Sequence, residues 1–389
     1  MKQVSKQLLP IMLAFVAMGF VDLVGSATSY VKHDLQLSDT VANIFPSMVF
    51  FWFLIFSVPT GILMNRIGQR RTVLLSLVVT LASLLLPLVS YTFTSMLLSF
   101  SLLGIGNTLM QVALNPLLSN VVQGNRLASA ITFGQFVKAI ASFSAPLIAR
   151  YAAMQFDNWR LLFPVFMIVA VMAVLWLGST NIDEGERTRT QSSSFSECFA
   201  LLGDKLILLS FFGIICHVGI DVGTNVTAPK VLVEHAGVSV DDSMFGGSVY
   251  FLFRLAGCLS GTFILARYAA RRFFLVSTLC ILAGLGGLLF FRSATAMYVC
   301  IALVGFGNSN IFPVIVSQAM LHKPEKKNEI SGLMIMGLFG GTLFPLAMGV
   351  ASDLFHTQVG AVAVMLVGVA YLLIFGKSTL RASATSNIP

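Results

Sequence analysis

The sequence predicts an all-α integral membrane protein with twelve transmembrane helices in two pseudo-symmetric six-helix bundles. Three observations predict it. The 389 residues are 57% hydrophobic and only 10% charged, with a mean hydropathy of +0.88, whereas soluble domains carry roughly 25% charged residues. Uninterrupted apolar runs such as 72–91 and 161–178 are long enough to cross ~30 Å of hydrocarbon. Short motifs also recur between the two halves of the chain at nearly constant separation.

Twelve spans follow in order: 8–31, 43–64, 73–91, 95–120, 129–150, 161–178, 206–230, 245–266, 273–291, 296–320, 329–352 and 358–376. The first continues through Asp22 without a small-residue cleavage site, so it reads as a span and not as a removable signal. After the sixth span comes the one long polar stretch, Ser179 to Lys205, with Asp183, Glu184, Glu186, Arg187, Arg189 and the run Gln191-Ser192-Ser193-Ser194. Its composition suits a linker. The expected domains are therefore an N-terminal bundle over 1–178, a cytoplasmic linker over 179–205 and a C-terminal bundle over 206–389.

Charge sets the orientation. With the N-terminus inside, the cytoplasmic segments hold seventeen Lys and Arg, among them Lys6, Arg66, Arg70, Arg71, Arg271, Arg272, Lys326 and Lys327. The outer segments hold five: Lys32, Arg150, Arg160, Lys230 and Arg292. This asymmetry predicts cytoplasmic termini and explains the net charge of +8 as contact with anionic lipid, without nucleic acid as a partner. The five cysteines lie in the second half without metal-ligand spacing and read as small apolar residues. No metal and no cofactor is expected. Neither a nucleophile elbow nor a phosphate-cradling loop is present, which gives enzyme readings little support and argues for a secondary transporter over a nucleotide-driven pump.

The halves repeat. Asp22, in Gly19-Phe20-Val21-Asp22-Leu23-Val24-Gly25, corresponds to Asp221, in Gly219-Ile220-Asp221-Val222-Gly223. Gly61 to Arg71 corresponds to Gly261 to Arg272, Gly104-Ile105-Gly106-Asn107-Thr108 to Gly305-Phe306-Gly307-Asn308-Ser309, and Pro146 to Pro345. A parallel repeat of six-helix halves implies a site near mid-membrane where the halves meet.

Two motifs carry a family resemblance. Gly61, Arg66, Gly68, Arg70 and Arg71 resemble the signature between spans 2 and 3 of the major facilitator superfamily, with Asn65 in place of its usual Asp. Gly68 allows a tight turn, and the arginines can hydrogen-bond helix C-termini and hold one gate state; the bland alternative is simple positive-inside anchoring. Asn308-Ser309-Asn310-Ile311-Phe312-Pro313, Gly340-Gly341-Thr342-Leu343-Phe344-Pro345 and Ala113-Leu114-Asn115-Pro116 look like the fucose–galactose–glucose proton symporter family. That resemblance covers most of the chain. It implies a monomeric secondary transporter of the bacterial cytoplasmic (inner) membrane that imports a hexose or deoxyhexose with H+, or alternatively Na+. Other readings are a carrier of an acidic or amphipathic solute and a non-transporting sensor. The family usually carries a titratable Glu where this chain has Gln111, so coupling moves to Asp22 or elsewhere.

Ionisable groups inside spans are costly and usually functional. Asp22 and Asp221 oppose Lys138 and Arg254, a neutral set; Arg254 resembles the family's span 8 Arg. The expectation is one pair per half, Asp22 with Lys138 and Asp221 with Arg254, either as coupling sites or as static packing pairs. Lys138 could instead bind an anionic substrate. His217 precedes Asp221 by one helical turn and either tunes its proton affinity or simply packs. Gln111, Asn115, Gln135, Asn225, Asn308 and Asn310 offer both donors and acceptors, as sugar hydroxyls require. Trp52, Tyr250 and Phe312 could stack on a pyranose face. Gly223 and Pro229 suggest a broken or kinked outer end to span 7.

Overall fold

In hydrocarbon no water satisfies backbone N–H and C=O groups, so long apolar runs must become helices or closed barrels. The computed structural model is helical throughout its spans and describes residues 2–37, 41, 44–122, 124–182, 184, 194–238, 243 and 245–380. The middle of the linker, including Arg187, Arg189 and Gln191–Ser193, lies outside the described residues, as does Arg381. Span 1 is α1 (Lys2–Met18), a 3-10 turn (Gly19–Asp22) and α2 (Leu23–Asp34). Then follow α3 (Ile44–Ile67), α4 (Gln69–Val89), α5 (Phe93–Val121), α6 (Leu127–Phe156) and α7 (Leu162–Ser179). The short α8 (Phe195–Ala200) precedes α9 (Lys205–Ala236), α10 (Phe245–Arg267) and α11 (Ala270–Phe290). Span 10 divides into α12 (Ala294–Asn308) and α13 (Ile311–His322), and span 11 into α14 (Lys327–Met336) and α15 (Gly340–Phe355), before α16 (Val359–Ser378). Among the described residues, eleven helical stretches are long and apolar enough to cross a membrane, and the interrupted span 1 makes twelve.

The repeat reappears as geometry. A Cβ on Gly104 would stand 2.9 Å from Val49 Cα, and one on Gly305 would stand 2.4 Å from Tyr250 O. A Cβ on Gly106 would lie 3.2 Å from Ser76 O, and one on Gly307 would lie 2.4 Å from Ser277 O. The partners are as far apart in sequence as the glycines themselves. In each half, the Gly-x-Gly pair removes side chains so that the fourth span presses on the second and third. Small residues serve this role wherever helices meet in lipid, because close backbone approach replaces the absent hydrophobic driving force.

Compact units follow a different cut from the expected 1–178 and 206–389. One unit comprises Met1–Gln123, Gly134–Ala200 and Glu325–Met336; the other comprises Gly124–Phe133, Leu201–Pro324 and Gly337–Pro389. The start of span 11 belongs with the first because Gly61 and Gly332 are bare: added Cβ atoms would meet Asn328 O at 2.9 Å and Ser57 O at 2.8 Å. Ser331 Oγ also donates to Val112 O at 2.7 Å. The start of span 5 belongs with the second, where Ser129 Oγ donates to Thr262 O at 2.6 Å.

The expected break in span 7 is not found. α9 is one continuous helix through Gly223 and Pro229, ending at Gly237 in the left-handed conformation. The interruptions fall in spans 1, 10 and 11 instead. In span 10 the reason is local: Pro313 has no N–H to offer Ser309 O, which accepts from Cys258 Sγ at 3.5 Å. All five cysteines are free.

Candidate functional site

Side-chain chemistry concentrates in the second unit, on three helices. His217, Asp221 and Asn225 recur every fourth residue of α9 and so share one face. Tyr250 and Arg254 hold the same relation on α10, and Asn308 is the last residue of α12, delivered by the break in span 10. Arg254 Nη1 lies 2.7 Å from Asp221 Oδ2 and 2.8 Å from Oδ1. The Tyr250 hydroxyl donates to the same Oδ1. Asn308 Nδ2 donates to the Tyr250 hydroxyl at 3.1 Å, and Asn308 Oδ1 lies 2.8 Å from His217 Nδ1. Five side chains thus form one unbroken chain from guanidinium to imidazole. Its inner members are dry: His217 is 3% exposed, and Tyr250 and Asn308 are 0%.

This placement changes the expected role of Tyr250. Its ring is fully buried and its hydroxyl is committed to Asp221 and Asn308, so it presents no free face to a sugar. Phe312 is buried too, its ring 6.2 Å from that of His217. Asn225 approaches Gly247, where a Cβ would stand 3.2 Å from Asn225 Oδ1. Asn310 Nδ2 donates to Gly257 O at 2.9 Å while its Oδ1 is buried without a partner among the described residues.

In the first unit, Asp22 ends the 3-10 turn and is exposed. The expected Asp22–Lys138 ion pair is not formed. Ser142, one turn beyond Lys138, donates to Asp22 Oδ2 instead. Gly19 explains the difference, because a Cβ there would stand 2.6 Å from Lys138 O and 2.8 Å from Ala141 Cβ. The turn therefore rests on the α6 backbone at this level, and the nearby hydroxyl reaches the carboxylate. Lys138 makes no ion pair among the described residues. Gln111 is 8% exposed, and neither its side-chain amide nor that of Gln135 has a hydrogen bond among the described residues. Asn115 Nδ2 donates to Gln111 O at 3.3 Å. One turn before Gln111 lies Asn107, buried with both amide atoms unpartnered among the described residues. Trp52 packs with its ring against the face of Gly104.

The loop motif forms a third cluster, also within the first unit. Gly68 has φ 92° and ψ 160°, a conformation reserved for glycine, which lets α3 pass directly into α4. Arg70 Nε donates to Leu177 O at 3.0 Å, and Arg70 Nη2 to Gly178 O, so it caps the C-terminus of α7. Arg271 does the same for α16, donating to Gly376 O at 3.3 Å and Lys377 O at 2.8 Å. Glu184 accepts from Gln69 N at 3.0 Å and Arg70 N at 2.8 Å, placing a carboxylate at the positive end of α4. Arg66 and Arg71 are exposed.

Asn65 donates to Glu329 Oε1 at 2.9 Å and accepts from Asn328 Nδ2 at 2.7 Å. Gln69 Nε2 donates to Asn328 Oδ1 at 2.7 Å, Asn120 donates to Gln69, and Lys327 donates to Asn120. Neutral amides therefore carry contacts that an Asp at position 65 would turn into charge repulsion against Glu329. Sequence reading missed Glu184, Asn120, Asn328, Glu329 and Ser142. Their polarity was visible, but each acts on a partner distant in sequence.

Outside the spans, Asp204 caps α9 through Leu206 N at 2.9 Å and Ile207 N at 3.3 Å. Burial works to raise its carboxyl, but hydrogen bonds from Lys323, His322 and Ile207 N–H hold it well below the usual carboxylate range.

Comparison with known proteins accords with this geometry. A family model described as Major Facilitator Superfamily matches residues 11–344. A glucose/galactose transporter of Brucella abortus is 24% identical over 367 residues, covering 88% of this chain and 86% of that relative. A hexuronate transporter of Bacillus subtilis is 22% identical over 276 residues, 67% of this chain and 65% of its own length. Among solved structures, a fucose:proton symporter of E. coli superposes with TM-score 0.81 at 14% identity, covering 96% of this chain and 99% of the other. A proton:xylose symporter bound to a bromodeoxyglucose gives TM-score 0.75 at 15% identity, over 97% and 96% of the two chains.

Proposed function

The chain belongs to the Major Facilitator Superfamily, and on that premise we propose that it imports a monosaccharide of the hexose or deoxyhexose class by alternating access, coupled to protons. The observation that carries this reading is the five-residue polar chain of the second unit. It places buried amide, phenol and imidazole groups beside a partly exposed carboxylate, and sugar hydroxyls need both donors and acceptors. The Brucella relative, aligned over 86% of its length, is a glucose/galactose transporter, which supports the same substrate class. Asp221 with Arg254, and Asp22 with Ser142, are the acidic centres in this reading. Asp22 carries the coupling proton, because Gln111 cannot titrate. The protein acts as a monomer in the bacterial inner membrane, with both termini in the cytoplasm.

Lys138 favours one second reading, a carrier of sugar acids. It is an intramembrane ammonium without an ion pair among the described residues, and one relative is a hexuronate transporter. The test is uptake into proteoliposomes of D-galactose, L-fucose and D-glucuronate, under an inward proton gradient, an inward sodium gradient or neither. Proton-driven accumulation of a neutral sugar supports the proposal. Accumulation of glucuronate alone selects the second reading, dependence on sodium replaces the coupling ion, and binding without accumulation identifies a sensor.

A further inference from the structure

The geometry points to Tyr250 and Asn308 as positioning residues that lock His217 in one tautomer, with Nδ1 protonated and Nε2 a bare acceptor for a substrate hydroxyl. This rests on the sugar-carrier reading of the same cluster and names the atom that would touch the sugar.

The argument is a count of protons. Arg254 has only donors and holds Asp221 as the carboxylate, which has only acceptors. Tyr250 has one hydroxyl proton, and it goes to Asp221. Toward Asn308 the phenol oxygen can therefore only accept. That fixes the orientation of the Asn308 amide: Nδ2 faces Tyr250 at 3.1 Å, and Oδ1 faces His217 Nδ1 at 2.8 Å. A carbonyl oxygen cannot donate, so the hydrogen of that last bond must sit on His217 Nδ1. A neutral imidazole carries one N–H, which leaves Nε2 with its lone pair.

The lock is dry and rigid, with Tyr250 and Asn308 fully buried and Phe312 beside the ring. His217 as a whole is 3% exposed, and its Nε2, which has no hydrogen-bond partner among the described residues, is not one of their fully enclosed orphan atoms. An acceptor held in place, without a protein donor among the described residues and not sealed off, can take its hydrogen bond from a substrate hydroxyl. Asp221, Arg254 and Tyr250 are the ionisable groups facing it, from α9 and α10, and all three are already committed to one another. The ion pair of this half thus acts at the far end of the relay by setting a tautomer.

Two substitutions separate acceptor from scaffold. In His217→Asn the amide reaches only the Nδ1 position, so the Asn308 contact survives and the Nε2 acceptor is lost. In His217→Gln an amide oxygen can reach the Nε2 position. With D-galactose and L-fucose as probes in proteoliposomes, His217→Asn should raise KM about tenfold with maximal rate within about twofold, and His217→Gln should recover most of the loss. Independently, 15N NMR of histidine-labelled protein in detergent, with the His217 signal assigned by its loss in His217→Asn, should show protonated Nδ1 and unprotonated Nε2. Asn308→Leu should release that preference. An unchanged KM in His217→Asn, or a protonated Nε2 in the neutral wild-type ring, overturns the inference. If the wild-type protein takes up neither sugar, the carrier reading fails, and the NMR result alone decides the tautomer.

Discussion

Substituting Asp221 and Arg254 singly and together tests whether the polar chain is a coupled unit. Arg254 Nη1 stands 2.7 Å from Asp221 Oδ2. At an effective dielectric of about 20, unit charges at that separation attract by roughly 6 kcal/mol before desolvation is subtracted. Dehydrating two ions inside a bundle offsets much of this, so the intact pair is worth far less than its attraction. Removing one partner is different, because it strands a charge. For a fully buried pair that costs about 3–5 kcal/mol. Here the side chains retain 30% and 16% exposure, and screening reduces the expected cost to about 2–3 kcal/mol for Asp221→Asn or Arg254→Gln. The double variant leaves two neutral amides that can bond each other, for a net loss of about 1 kcal/mol. At about 2 °C per kcal/mol, each single variant should melt ~4–6 °C below wild type and the double variant only ~2 °C below. Thermal unfolding in detergent followed by intrinsic fluorescence reads this, with sugar uptake measured on the same preparations. Losses in the double variant equal to the sum of the singles, within about 0.5 kcal/mol, would show no coupling and refute the reasoning.

The remaining predictions concern other clusters. Asn65→Asp should place a second carboxylate against Glu329 and lower stability by about 1–2 kcal/mol, and adding Glu329→Gln should restore it; melting curves of the three variants check this. Asp22→Asn should abolish uphill uptake and preserve sugar exchange across proteoliposomes, and unchanged accumulation would remove Asp22 from coupling. Asp204→Ala should cost about 1 kcal/mol at pH 7 through loss of the α9 cap. Because the folded carboxyl titrates below its unfolded value, that contribution is complete above about pH 4 and disappears as pH falls further. The two melting curves should therefore converge in acid, and a gap that persists there would contradict the assignment.

Much of this protein follows from its sequence alone. Twelve apolar spans and a biased distribution of Lys and Arg leave a polytopic helical membrane protein as the only arrangement that satisfies its backbone. The duplicated Gly-x-Gly fixes where helices touch, because a missing Cβ acts locally and in the same way in both halves. The pairing of Asp221 with Arg254 could also be anticipated, since opposite charges in neighbouring spans have few other partners. Tertiary structure decided what depends on helix rotation and depth. Asp22 meets Ser142 and not Lys138, because Gly19 brings the turn against the α6 backbone. Tyr250 became a link in a proton-counting chain, and Asn65 an amide facing Glu329. Those choices turn on distances of a few ångströms between residues remote in sequence, which a hydropathy pattern does not encode.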